Sequence, residues 1–115
     1  MLYTEILNDN KDFLTLYKRG RFTASKYTVI YVRSNGKPYN RLGITAGKKI
    51  GNAVKRNRAK RVIYSAFRAC EELISPGYDF VIVARTRILS AKSTDVARSL
   101  EKILDTANIA PQEKI

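Results

Sequence analysis

The stretch that most constrains the fold covers residues 42–68, because it joins a short apolar segment to a helix that begins with positive charge. Leu42 and Ile44 indicate a strand, and a basic block follows it. That block contains no acidic residue and seven basic ones: Lys48, Lys49, Lys55, Arg56, Arg58, Lys60 and Arg61. Any fold of this chain must leave these cations at the surface, since burying unpaired charge is costly.

The helix after the block has a predictable start and a predictable buried face. Asn52 is a good N-cap. Apolar residues recur at helical spacing and predict the buried face: Ala59, Val62, Ile63, Ala66, Phe67 and Cys70. Lys55 and Arg56 point in the same direction as this face, so the first turn and a half should extend beyond the core. Cations at a helix N-terminus oppose the helix dipole, and a bound phosphate would relieve that repulsion.

Charge is segregated along the whole chain, which carries a net +12. All ten acidic residues lie outside residues 13–70, whereas 15 of the 22 basic residues lie inside them. Solubility alone is usually achieved with interspersed signs. The segregation therefore predicts a polyanionic partner. Nucleic acid is favoured, with an anionic membrane surface or an acidic protein as alternatives.

The length of 115 residues predicts a single domain over residues 1–115. No apolar run is long enough to span a bilayer, and acids stand near the start where a secretory signal would be basic. We therefore expect a cytoplasmic protein without a membrane partner. The single cysteine excludes an internal disulfide.

Before the basic block we predict one helix and a hairpin. Residues 1–9 are weakly patterned and are expected to be irregular. Phe13, Leu16 and Tyr17 share one face of a short helix that ends near Gly20. Residues 22–33 and 39–46 predict two strands joined by a turn at Asn35-Gly36.

After the block, the continuous apolar run Phe80-Val81-Ile82-Val83-Ala84 predicts a central strand that is buried on both faces. A last helix should begin at Ser93, bury Val96, Leu100, Leu104 and others, and reach Ala107. Residues 108–115 are expected to form a frayed tail.

Residues for covalent or metal chemistry are scarce. The chain has no histidine, and Cys70 falls on a buried helix face, so we expect no metal site and no nucleophile–base pair. Glu71 and Glu72 should end the helix in solvent, and Asp79 has no evident second carboxylate. Gly43 and Gly47-Lys48 superficially resemble a phosphate-binding P-loop, but the spacing is wrong and Lys49 replaces the Ser or Thr.

The basic block also carries a family resemblance. The run Lys48-Lys49-Ile50-Gly51-Asn52-Ala53-Val54, followed by Arg56-Asn57-Arg58 and Lys60-Arg61, resembles the bacterial ribonuclease P protein family, whose signature contains an Arg-Asn-Arg segment. Further similar segments extend the resemblance over most of the chain: Asp12-Phe13, Tyr17, Gly20, Leu42-Gly43-Ile44 and Asp79-Phe80-Val81.

The resemblance implies a noncatalytic protein subunit of the endoribonuclease ribonuclease P. The RNA subunit, with Mg²⁺, would cleave the 5′ leader from precursor tRNA, and the protein would bind that RNA and the single-stranded leader. Its partners would be the RNA subunit and precursor tRNA, not DNA. No catalytic residue and no cofactor bound by the protein itself are expected.

The resemblance also implies roles for individual residues. Phe13, Tyr17 and Tyr31 would bind the leader. The residues alone favour core packing for Phe13 and Tyr17, and the resemblance raises base stacking above it. The RNA subunit would contact a larger set: Lys48, Lys49, Asn52, Lys55, Arg56, Asn57, Arg58, Lys60, Arg61 and Arg68. Tyr64 stands where many members carry arginine, and Gly47 where serine is common.

The implied fold is an α/β (α+β) two-layer sandwich with a mixed sheet packed by helices. Its order is α-β-β-β-α-β-α, as in a ribosomal protein domain, with a left-handed β-α-β crossover. The general rule would have predicted a right-handed one.

Two other functions are open to a chain of this kind. One is a ribosomal or ribosome-associated RNA-binding protein without a cleavage role, which the Arg-Asn-Arg segment disfavours. The other is a DNA-binding regulator. A strand precedes the basic helix where a helix-turn-helix would need another helix, which disfavours that reading.

Overall fold

The structure is a computed structural model and describes residues 4–106. It has a mixed five-stranded sheet and three helices, which confirms the α/β (α+β) prediction. In chain order the elements are β1 (Thr4–Ile6), α1 (Asn10–Arg19), β2 (Arg21–Ala24), β3 (Thr28–Ser34), β4 (Asn40–Thr45), α2 (Ala53–Cys70), β5 (Tyr78–Ala84) and α3 (Ser93–Thr106). Three short 3₁₀ turns complete it, at Lys48–Ile50, Glu71–Leu73 and Thr86–Ser90.

The first strand was not predicted. Residues 4–6 pair in parallel with β4, from Thr4 opposite Asn40 to Ile6 opposite Leu42. The expectation that residues 1–9 are irregular is therefore wrong for this segment. Three residues are too few to show a two-residue period, and the strand exists because β4 offers it an edge. The observed order is consequently the predicted one with a strand added in front.

The sheet order is β1-β4-β5-β3-β2. The apolar run Phe80–Ala84 lies in the middle strand, parallel to β4 and antiparallel to β3, as predicted. The predicted hairpin between residues 22–33 and 39–46 is wrong, because β5 separates β3 from β4. The Asn35 amide instead donates to the carbonyl of Gly77, 2.8 Å away, so this turn is bound to the loop before β5.

The segment predicted as one strand over residues 22–33 is two strands, β2 and β3, which form the hairpin of this sheet. The chain reverses at Ser25, whose amide donates to the Thr28 carbonyl at 2.7 Å and whose hydroxyl bonds the same residue. β2 is thereby an edge strand.

The two faces of the sheet carry different helices. Phe80 and Ile82 belong to the larger core, which α2 and α3 cover. Val81, between them, belongs to a smaller core with Leu7 and Leu16 beneath α1. Because strand side chains alternate between faces, α1 lies on one face of the sheet and α2 with α3 on the other. The hand of the β4-α2-β5 crossover stays a prediction.

The last helix begins at Ser93, as predicted, and the Lys92 amide donates to the Asp95 carboxylate at 3.0 Å across its first turn. Val96, Leu100 and Leu104 are buried, as expected. Ala107 and the tail expected over residues 108–115 lie outside the described residues.

Arg41 on β4 ties α1 to the sheet. Its guanidinium makes two hydrogen bonds to Asp79 on β5, at 2.7 and 2.9 Å, and one to Asp12 on α1, at 3.2 Å. Asn35 also donates to Asp79, at 2.9 Å. The bond to Asp79 raises the pKa of Arg41 above its ordinary value, although burial opposes it. The position of α1 is therefore set by charge-assisted bonds as well as by apolar packing.

Glu71 corrects another prediction, since it is buried rather than in solvent. Its carboxylate accepts a hydrogen bond from the Thr4 hydroxyl and so joins β1 to the end of α2. The prediction failed because β1 was not anticipated. Glu72 is exposed, as expected.

Candidate RNA-binding surfaces

The basic helix α2 is capped and half-buried as the sequence predicts. The Asn52 carboxamide oxygen accepts a hydrogen bond from the Lys55 amide at 3.0 Å. The predicted inner face is buried apart from Val62, which is partly exposed. The first turn extends beyond the core, and the Val54 side chain there is 73% exposed.

The cations of the block all reach the surface. Six of the seven are exposed and Arg56 is partly so, and α2 has no acid in its first turn. Lys48 and Lys49 project from a 3₁₀ turn that buried Ile50 fixes to the core. We define the basic surface as the ten residues expected to bind the RNA subunit: Lys48, Lys49, Asn52, Lys55, Arg56, Asn57, Arg58, Lys60, Arg61 and Arg68.

Some of these side chains already have protein partners. Asn52 uses its oxygen for the helix cap, so any contact it makes with RNA must use its remaining groups. Arg58 donates to the Leu89 carbonyl at 3.3 Å, which directs its guanidinium along the helix flank. Arg68 lies 5.9 Å from the centre of the Tyr64 ring, a cation–π distance. At position 64, where many family members were expected to carry an arginine, this chain instead has a tyrosine whose ring contacts the Arg68 guanidinium.

The three rings predicted to bind the leader lie together on the α1 face of the sheet. The Tyr17 and Tyr31 ring centres are 4.9 Å apart and nearly perpendicular, and Phe13 lies 6.5 Å from Tyr17. Tyr17 is 41% exposed, while Phe13 and Tyr31 are half-buried. Phe13 and Tyr31 also pack against the smaller core, so core packing and an exposed ring surface are combined.

Sequence reasoning missed a fourth ring. Phe22 on β2 stands opposite Tyr31, with ring centres 5.7 Å apart, and is 65% exposed. The aromatic row is therefore Phe13, Tyr17, Tyr31 and Phe22, in that order from α1 across β3 to the sheet edge. The pairing of β2 with β3 was the missing information, because it places Phe22 and Tyr31 on one face.

A groove connects the two surfaces. β1 pairs with β4 only as far as Leu42, so the next residues of β4 form an open edge. A groove of about 470 Å³ lies there, and Phe13 reaches it from one side and Lys60, Arg61 and Tyr64 from the other. Ile6, Leu7, Asn8, Leu42, Gly43 and Ile44 complete its mostly apolar lining.

Cys70 occupies the buried face of α2, as expected of a small apolar residue, and its thiol lies 3.4 Å from the Ala97 carbonyl. Burial, with a smaller effect of Glu101, raises the pKa of this thiol to about 11. Among residues 4–106 no three acidic or cysteine side chains come together in a set that could hold a metal ion. None of the helices in that range is long and apolar enough to cross a bilayer.

Comparison with known proteins decides the family. Residues 1–108 match the family model described as Ribonuclease P. The chain belongs to the ribonuclease P protein family. The ribonuclease P protein component of Clostridioides difficile is 39% identical over 108 residues, which cover 93% of this chain and 95% of the relative.

Solved structures agree with this membership. The RNase P protein of Staphylococcus aureus superposes with a TM-score of 0.80 at 33% identity, covering 92% of this chain and 97% of that one. The RNase P protein of Thermotoga maritima gives a TM-score of 0.79 at 32% identity, covering 89% and 96%. The resemblance drawn from the basic block is thereby confirmed, and these matches give no support to the ribosomal alternative.

Proposed function

We propose that this chain assists ribonuclease P in removing the 5′ leader of precursor tRNA, by binding the RNA subunit with its basic surface and the leader with its aromatic row. The observation that carries the proposal is the presence of both surfaces on one small body, joined by the groove at the open edge of β4. A cationic helix alone would suit many polyanions. Exposed rings beside it suit a single strand, whose unpaired bases can stack.

The basic surface contributes charge neutralisation. Each phosphate that Lys or Arg contacts releases counterions, so affinity for RNA should fall steeply with salt. Two folded RNAs repel each other, and cations placed between them reduce that repulsion. The eight Lys and Arg side chains of the basic surface supply this charge, and the first turn of α2 contains no acid to cancel it.

The aromatic row contributes the preference for a single strand. Bases in a duplex are stacked on one another and hide their faces, whereas those of a leader can lie against Phe13, Tyr17 and Tyr31. This binding would hold the leader in register relative to the cleavage site. Precursor tRNA is thereby a second partner beside the RNA subunit.

Hydrolysis itself is assigned to the RNA subunit with Mg²⁺. The described residues do not fit a Mg²⁺ site, because they contain no cluster of three acidic ligands. Asp12, on the same helix as Phe13 and Tyr17, and Asp79 are both bound to Arg41. The role we assign to the protein is binding and positioning of RNA in the cytoplasm.

The test uses holoenzyme assembled from the RNA subunit and each protein variant. Tyr17→Ala and Phe13→Ala should weaken binding of leader-bearing precursor tRNA by about 5-fold or more each, from loss of one stacked base, and leave the leaderless substrate unchanged. Leu14→Ala is the matched control, since Leu14 is exposed on α1 and outside the row.

Equal losses on the two substrates would overturn the assignment of the leader to the row. Cleavage of precursor tRNA by the protein without RNA would overturn the assignment of catalysis. Phe13 is half-buried, whereas Tyr17 is exposed and its truncation should disturb the fold less. Equal effects of the two variants would therefore indicate lost stacking rather than a damaged fold.

A further inference from the structure

Phe22 is the most exposed ring of the aromatic row, and nothing in the fold explains its position. It lies on edge strand β2, whose four residues are all exposed. An isolated exposed apolar side chain would need no explanation. Phe22 is not isolated, because its ring lies 5.7 Å from that of Tyr31 and is tilted from it by only 32°. It therefore continues the surface formed by the other rings to the edge of the sheet.

The charge around Phe22 selects the kind of molecule that can lie there. Lys18 and Arg19 are exposed at the end of α1, a few residues before Phe22, and Arg33 is exposed on β3, on the same face of that strand as Tyr31. No acidic residue occurs between residues 13 and 70. An exposed ring with cations on the neighbouring elements suits a nucleotide, with the base on the ring and the phosphates near the charges.

We infer that Phe22 forms an additional nucleotide subsite, at which a base of the single-stranded leader stacks beyond the base held at Tyr31. This rests on the proposed function and deepens it, since it lengthens the leader-binding site toward β2. The subsite is sequence-tolerant, because every base presents a flat face to a ring. A leader must be long enough to reach the edge of the sheet before it gains from Phe22.

The test is a series of precursor tRNAs whose leaders lengthen one nucleotide at a time, bound to holoenzyme containing wild-type or variant protein. Holoenzyme with Phe22→Ala should bind short-leader substrates as tightly as wild type does. Its affinity should stop rising at a shorter leader length, so that it binds long-leader substrates about 5-fold more weakly, or weaker still. Phe22→Tyr should follow wild type, and Phe22→Leu, which keeps an apolar side chain without a ring, should follow Phe22→Ala. Thr23→Ala is the control, because Thr23 is exposed on the same strand but alternates to the other face.

Several results would overturn the subsite. Phe22→Ala could follow wild type at every length, lose affinity equally at all lengths, or be fully restored by leucine. Wild-type protein could instead self-associate through β2 in a way that Phe22→Ala abolishes, with no dependence on leader length. If the wild type gained nothing from any leader, the proposed function would fail and the subsite with it. If the affinity of the wild type rises with leader length and that of Phe22→Ala rises identically at every length, only the subsite is overturned.

Discussion

The Phe13 ring lies directly against the backbone of Gly43. A Cβ placed on Gly43 would stand 2.5 Å from Cζ of Phe13, far inside van der Waals contact. Glycine on β4 is therefore what allows a ring from α1 to rest on the sheet at the head of the aromatic row.

Gly43→Ala should displace Phe13 and weaken binding of leader-bearing precursor tRNA to the holoenzyme. The expected loss is about 5-fold, near the value of one stacked base, with leaderless substrate unaffected. Gly47→Ala is the matched control, since nothing lies within 4 Å of a Cβ there. Identical behaviour of the two variants would mean that Phe13 does not depend on Gly43.

Arg61→Ala should reduce the salt dependence of binding to the RNA subunit. Arg61 is exposed on the basic surface, so its removal should leave the fold unchanged. Loss of one phosphate contact should lower the slope of log affinity against log salt by about 0.7–0.9. Titrations of RNA binding over a range of salt concentrations measure this slope. Arg98→Ala, which removes an exposed cation from α3, should leave this slope unchanged. If Arg61→Ala and Arg98→Ala changed the slope equally, the effect would come from net charge rather than from a contact made by Arg61.

Arg41→Met should destabilise the protein, because it leaves the carboxylates of Asp79 and Asp12 without their shared partner. We expect a loss of about 1.5–3 kcal/mol in the free energy of unfolding, the range for hydrogen bonds to charged groups. Denaturant unfolding measures it.

Asp12→Asn provides the comparison for Arg41. It weakens only the bond to α1, so the loss of stability should be smaller, while binding of leader-bearing substrate should still weaken because Phe13 and Tyr17 lie on the same helix. A larger loss of unfolding free energy from Asp12→Asn than from Arg41→Met would contradict the conclusion that Arg41 joins both carboxylates.

The buried thiol of Cys70 should make stability fall at high pH. Its pKa is raised from 9.0 to about 11 in the folded protein, so the thiol ionises more readily when the chain unfolds. The contribution to stability is complete below pH 9 and is lost as pH rises through about 11. The difference between wild type and Cys70→Ala in unfolding free energy, followed over this range, isolates the effect from other titrating groups. A constant difference would show that the thiol ionises equally in both states.

Features set by short-range sequence were predictable. The Asn52 cap, the buried face of α2 and the central strand Phe80–Ala84 each depend on residues within a few positions of one another. The exposure of the basic block followed too, since burying those charges would be costly.

Features set by distant pairing were not predictable. Asn35 signalled a turn correctly, but only its bond to Gly77 shows that β5 enters between β3 and β4. Arg41 meets Asp12 and Asp79 across 29 and 38 positions of sequence. Phe22 joined the aromatic row only when the hairpin at Ser25 set which face it shares with Tyr31.

The aromatic row has two unlike ends. At one end, Phe22 lies on the exposed edge strand β2. At the other end, Phe13 borders the groove that Lys60 and Arg61 also line. A leader bound along the row, as proposed, would meet the groove beside the basic surface at one end and solvent at the other. Because the two ends of the row differ in this way, the proposed site would favour one orientation of the leader over the reverse.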